Sequence, residues 1–457
     1  MTVFPGSLSL RRFSALRVAL PARRWLPHLT DGIGAAAAGA LLWLAVALWL
    51  ALYPALFPAL ANERAPGPAL DDFGVFYAAA RLVRDGRGDE LYNLDAIHEE
   101  EARVYERPRA QAPLLPYFNP PAFAAVLVPL TWLPPGTAAA VMLALTTGLL
   151  AAGVALLWRS SRLGVPGAWV VLGMLAAFQP VRDTFFHGQP SFVLFFAFAA
   201  AFAAFASGRE RLAGALLGLL LLKPNYALIP VAALLWKRRW EALKGFGAVA
   251  TVWVALSIAA SGASVLWTYP AFLWEASTWD NANGISIAGM FGWNGLVRTL
   301  LGPGHHDAVA AWSLALAIPT LLAVAVAWAG PWTVEGPRFA TRYAAIALAS
   351  ILVNAHVYRQ DVIVAAAPAF LLLAATTGRD RVGVAAALCV GWTLLAYHFP
   401  IARETSIAPT ALALAALLFL CVWLSRRSRP SAEAERAAAR PPAEAHPIPT
   451  VALGGAP

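Results

Sequence analysis

The chain has 457 residues, 60% of them hydrophobic and only 13% charged, with a mean hydropathy of +0.63. A soluble domain carries about a quarter charged residues, so a soluble globular enzyme is excluded. The net charge of +9, from 34 basic against 25 acidic residues, sits in short clusters between apolar runs, the pattern of cytoplasmic loops and not of a nucleic-acid surface.

Residues 1–31, with Arg11, Arg12, Arg23 and Arg24, read as a cytoplasmic N-terminal segment. The apolar run from Gly32 to Phe57 is far longer than the h-region of a cleavable signal, so it is a retained first span over about 33–56. It opens a transmembrane core over 32–425. A polar outer loop, about 58–117, follows. In it Phe73, Phe76, Tyr77, Ala80 and Val83 fall on one helical face, with Gly86 as the stop. A second helical stretch covers 94–106. Both are expected to lie on the membrane surface. Asp71 and Asp72 open the first helix; one suffices for the cap, which leaves the other for chemistry.

Pro120 and Pro121 then lead back toward the membrane, with Tyr117 and Asn119 just before them. Segments 120–133, 136–158, 166–181, 190–206, 211–222 and 225–236 do not all alternate cleanly across a bilayer. Several are too short to cross alone, so at least one is expected to break or re-enter, as buried or cavity-lining helices do. Within this region "FFHGQPSF" (185–192) is a polar island, read equally well as a capped turn or a site. Lys223 stands between four leucines and Pro224, and an ionisable residue at membrane depth is a functional candidate, with snorkelling as the competing reading.

After the basic cluster 237–244, spans near 246–262 and 307–328 bracket a second outer loop, about 263–303. Its stretch 267–295 holds four tryptophans among acidic and amide side chains. An interfacial aromatic belt explains it first; a sugar-binding surface is the alternative. Spans near 339–353 and 362–375 bracket "NAHVYRQD" (354–361), whose His356 and Asp361 stand out. Spans near 382–397 and 406–424 end at "RRSR", and 426–457 reads as a disordered cytoplasmic tail. The total is roughly 11–13 spans, each near the ~20 apolar residues a bilayer needs. Cys389 and Cys421 lie in apolar segments and indicate no disulfide framework.

Taken in order, "DFGVFYAAARLVRDGRGDELY", "FNPPAFAAVLVPL", "GQPSFVLFF", "GRERLAGALLGLLLLKPNYALIP" and "NAHVYRQDVIVAAAP" resemble glycosyltransferase family 87. The resemblance implies an all-α GT-C-type bundle that takes a sugar from a polyprenyl-phosphate donor on the extracytoplasmic face of the plasma membrane. It implies Asp72 as general base, and donor-phosphate contacts from Lys223 and then His356. Tyr77, Asn119, Gln189, Tyr358 and Asp361 are further site candidates. Two departures stand out: Asn119 precedes the Pro-Pro where the family has Tyr, and Tyr358 occupies the place of a second His.

The implied reaction is an inverting transfer, mannose first, to a hydroxyl of a glycolipid or glycan acceptor. No nucleic acid and no cofactor is called for; a divalent metal stays open, although no second His or carboxylate stands at ligand spacing in the late turn. The rival is a transporter or flippase of a lipid-linked sugar, which Lys223 suits but the acidic outer loop and the lack of repeated halves do not.

Overall fold

The computed structural model describes residues 71–161, 175, 178–334 and 336–427. The expected N-terminal segment, first span, most of the 166–181 run and the tail lie outside the described residues. The described chain folds into seventeen α-helices, with no strand among the described residues.

The first two are α1 (Asp71–Arg84) and α2 (Leu94–Val104). A short α3 (Pro121–Leu127) tightens into a 3-10 segment ending at Trp132. Next come α4 (Pro135–Ser161), α5 (Gln179–His187), α6 (Ser191–Ala206), α7 (Glu210–Gly218) and α8 (Leu228–Trp236). The long α9 (Trp240–Ser261) precedes α10 (Val265–Ala276), α11 (Trp293–Leu301) and α12 (His306–Ala327). The set closes with α13 (Gly336–Leu352), α14 (Ala366–Ala375), α15 (Gly378–Ala396), α16 (His398–Thr405) and α17 (Pro409–Arg427).

Among the described residues, α4, α9, α12 and α17 are long and apolar enough to cross a membrane. The pair α15–α16, bent by 64°, makes a fifth if it counts as one span. Other apolar runs are short or interrupted. The 120–133 run is α3 and its 3-10 extension, which is too short to cross. The runs 211–222 and 225–236 are one interrupted path: α7, a 3-10 turn, Lys223, a second 3-10 turn, then α8. Pro224 forces this break, because the residue before a proline avoids the helical region; Lys223 accordingly has φ −133° and ψ 87°.

Helix α13 is the axis of the bundle, buried at every residue from Phe339 to Leu352 and packed against α8, α12, α14 and α17. Its Arg342 is fully buried and donates to the carbonyls of Ala327, Ala329 and Pro331. The first carbonyl ends α12 and the other two follow it, so this cation caps the helix and holds the segment after it.

The first-loop helices form where the residue pattern put them, and α1 is enclosed by its neighbours. Helix α1 is buried at every residue from Phe73 to Ala80. The cause lies on its second face: Gly74, Ala78 and Ala79 are so small that neighbours close in. A side chain at Gly74 would collide with the Tyr105 hydroxyl, 2.0 Å away. Gly86 ends the helix with φ +75°, as a C-terminal glycine should. Asn93 caps α2, its Oδ1 accepting from the Asp95 and Ala96 amides.

The stretch 263–303 carries α10 and α11. Trp267 and Trp274 project from α10 at 62% and 78% exposure, as membrane-interface rings do. On its other face Tyr269 stacks on Tyr92 and Phe272 lies tilted against the same ring. Polarity of the bundle follows from α9. Its basic end begins at Trp240, and Ser257, about 25 Å further along, accepts a hydrogen bond from the Ala122 amide. The first loop and α3 therefore sit at the end opposite the basic cluster.

Candidate active site

Asp72 lies in the first turn of α1, where the helix dipole favours a carboxylate. It is half-buried and accepts a 2.7 Å hydrogen bond from Gln189 Nε2. Gln189 is brought there by the turn that ends α5. Gly188 has φ +63°, and a Cβ on it would fall 2.7 Å from that of Phe73. Only glycine allows the turn to press against the start of α1. Pro190 follows, and Ser191 opens α6 with its Oγ donating to Asp361 Oδ1 at 2.7 Å.

Asp361 is fully buried, and a buried carboxylate needs partners. It has three contacts: the Ser191 hydroxyl, and Lys223 Nζ at 2.7 and 2.9 Å from its two oxygens. Lys223 therefore does not snorkel away. It turns inward at the chain break and forms a buried ion pair. Asn119 braces that break, its Nδ2 donating to the Leu222 carbonyl at 3.0 Å. Beside them the Tyr226 hydroxyl and Gln189 Oε1 are buried without a hydrogen-bond partner among the described residues.

The late turn closes the cluster. Asn354 Oδ1 accepts from the His356 amide at 2.9 Å and from Asn225 Nδ2 at 3.4 Å. The His356 ring packs on Phe118 and edge-on to Tyr358, with centroids 4.7 and 4.9 Å away. Burial, then the charge of Lys223, lowers the His356 imidazole to about 4, with Asp361 opposing. His356 is partly exposed, and the charge of Lys223 acts in the same direction as burial. At neutral pH His356 is thus a neutral ring offering a hydrogen bond, not a cation. Tyr358 accepts from the Ser286 amide, and burial pushes its phenol up to about 12.

Of the residues singled out from sequence, Asp72 and Gln189 meet directly, as do Lys223 and Asp361. Asn119 touches Leu222 beside Lys223; His356 is joined to Asn225 through Asn354, and Tyr358 lies edge-on to the His356 ring. Tyr77 is not brought in. It is five residues along α1 from Asp72, on another side of the helix, and its hydroxyl donates to the Leu133 carbonyl at 2.8 Å.

Three contributors went unread in the sequence: Ser191, Asn354 and Glu101. Glu101 sits in the run Glu99–Glu101, which looks like a solvated charge strip. Glu99 is exposed, and Glu100 pairs with Arg81 at 2.7 Å and Arg103 at 2.9 Å. Glu101 is fully buried and has no cationic partner among the described residues, only the Leu115 amide at 3.2–3.3 Å. A signal was present: Ile97, Glu101 and Val104 share one helical face, and both neighbours are buried.

Burial, with the charge of Asp72 acting the same way, pushes the Glu101 carboxyl up from 4.5 to about 8, against the Leu115 hydrogen bond. The folded chain therefore keeps a proton that the unfolded chain releases. Its contribution to stability falls as pH rises from 4.5 to about 8 and levels off above that. Glu101→Gln is expected to flatten this fall when thermal unfolding of both proteins is followed over about pH 5–9. Equal slopes for both would contradict the assignment.

Among the described residues no group of three or more His, Cys, Asp or Glu side chains is placed to hold a metal ion. What the cluster offers is a half-buried carboxylate, a half-buried cation and neutral donors. No curated protein and no solved structure gives a significant match to the chain. A family model does match, over residues 117–355, a little more than half of the 457. The match spans Asn119, Gln189, Ser191, Lys223 and Asn354. Asp72 and Asp361 fall outside it but are hydrogen-bonded to residues within it. With its membrane-crossing helices and this cluster, the chain belongs to glycosyltransferase family 87.

Proposed function

We propose that the protein transfers a sugar, mannose first, from a polyprenyl-phosphate donor to a hydroxyl of a lipid or glycan acceptor. One observation carries the reading. The Gly188–Ser191 turn ties the Asp72 carboxylate to the Lys223–Asp361 pair, so a base and a cation share one end of the bundle. Positive clusters at the opposite end support an extracytoplasmic site on the plasma membrane.

The chemistry follows from these groups. The acceptor oxygen attacks the anomeric carbon while its proton passes to Asp72. The bond from that carbon to the phosphate oxygen breaks, and its electron pair leaves with the polyprenyl phosphate. Lys223 uses two contacts on Asp361 and keeps ammonium donor capacity for the charge growing on the phosphate. Neutral His356 adds a hydrogen bond. Attack opposite the leaving phosphate inverts the anomeric centre, and no covalent enzyme intermediate is required.

A donor panel tests this. Purified protein is incubated with acceptor lipids and labelled mannose on either a polyprenyl phosphate or a nucleotide. Product from the polyprenyl donor alone is expected. Product from the nucleotide sugar alone would overturn the reading.

A further inference from the structure

Away from the site, the outer surface between α7 and α9 carries a groove of about 660 Å³. Its floor is backbone. A Cβ on Gly214 would fall 1.7 Å from the Ala242 carbonyl oxygen, and one on Gly245 would fall 1.9 Å from that of Arg211. Small residues four apart, Gly214 and Gly218, allow this close crossing, as in membrane helix pairs. The walls are Leu212, Ala215, Ala248, Val249 and Val252. From Lys244 to Val252 the groove rises about 12 Å along the helix.

Its mouth is cationic. Arg211 Nε and Lys244 Nζ each reach one oxygen of Glu241, at 2.6 Å. Both terminal nitrogens of Arg211, and the remaining donor capacity of Lys244, have no hydrogen-bond partner among the described residues. The adjoining ends of the helices add Arg209, Lys237, Arg238 and Arg239 against Glu210 alone. Trp236 and Trp240 stand at the same end, 51% and 57% exposed, which marks headgroup depth. The groove thus starts among headgroups and runs into hydrocarbon.

We propose that this groove binds one anionic glycerophospholipid, its phosphate between Arg211 and Lys244 and one acyl chain along Ala215, Ala248 and Val252. A zwitterionic lipid would bring its own cation against the Arg-Lys mouth. A free phosphate would gain nothing from the apolar walls.

The test uses full-length protein, stripped of lipid in neutral detergent and titrated with phosphatidylglycerol, phosphatidylcholine or inorganic phosphate. Bound lipid is read by native mass spectrometry. Phosphatidylglycerol is expected to bind at least about tenfold more tightly than phosphatidylcholine, and Arg211→Gln with Lys244→Gln to erase that preference. Ala248→Phe, which fills the groove and keeps the charges, is expected to weaken phosphatidylglycerol binding by a similar factor. Equal binding of the two lipids, no effect of the variants, or phosphate binding as strong as the lipid would each overturn the proposal. So would the absence of any lipid adduct.

Discussion

Replacing Asp72 with Asn is expected to lower sugar transfer by about 10²–10⁴-fold, the usual contribution of a positioned general base. Asn has the same shape, and its carbonyl still accepts from Gln189 Nε2, so the turn stays docked on α1. What is lost is the capacity to take the acceptor's proton. Asp71→Asn is expected to keep much of the activity, because Asn suits the start of a helix as well as Asp does. The two variants are compared for single-turnover transfer at matched amounts of folded protein. Equal losses in both would remove Asp72 from its role.

The second large effect concerns Lys223. Lys223→Met strands Asp361, whose carboxylate is 1% exposed and would keep only the Ser191 hydroxyl. Breaking a buried pair in this way costs about 3–5 kcal/mol. Asp361→Asn is milder, since Lys223 is 18% exposed and retains some access to solvent. The double variant Lys223→Met, Asp361→Asn removes both charges and is expected to recover most of the lost stability. It is not expected to recover transfer, because the cation facing the leaving phosphate is gone. Thermal unfolding and transfer, measured on all three, separate the two contributions. Transfer that returns along with stability would make the pair purely structural.

Much of the helical architecture could be read from apolar runs, because a bilayer leaves little choice but helix. The boundaries of α4, α6, α9, α12 and α17 fall close to the expected ones. The depth of α1 could not be read. Its alternation of aromatic and alanine residues looks amphipathic until α2 and Tyr105 are known to close over Gly74. The interruption at Lys223 was visible in the Lys-Pro pair, but its partner was not. Asp361 is 138 residues away, and nothing local points from one to the other. Ser191 was hidden for the same reason. His356 could be singled out, but its neutral state could not, because that comes first from burial and then from a lysine of another segment.

The most direct measurement follows the fate of the donor in proteoliposomes. Labelled mannosyl polyprenyl phosphate is supplied with acceptor, and both halves of the donor are traced. The expected result is cleavage, with polyprenyl phosphate released one for one with glycosylated acceptor of inverted anomeric configuration. Transfer of the intact donor across the bilayer, with its glycosidic bond unbroken and no product formed, would contradict it and identify a transporter.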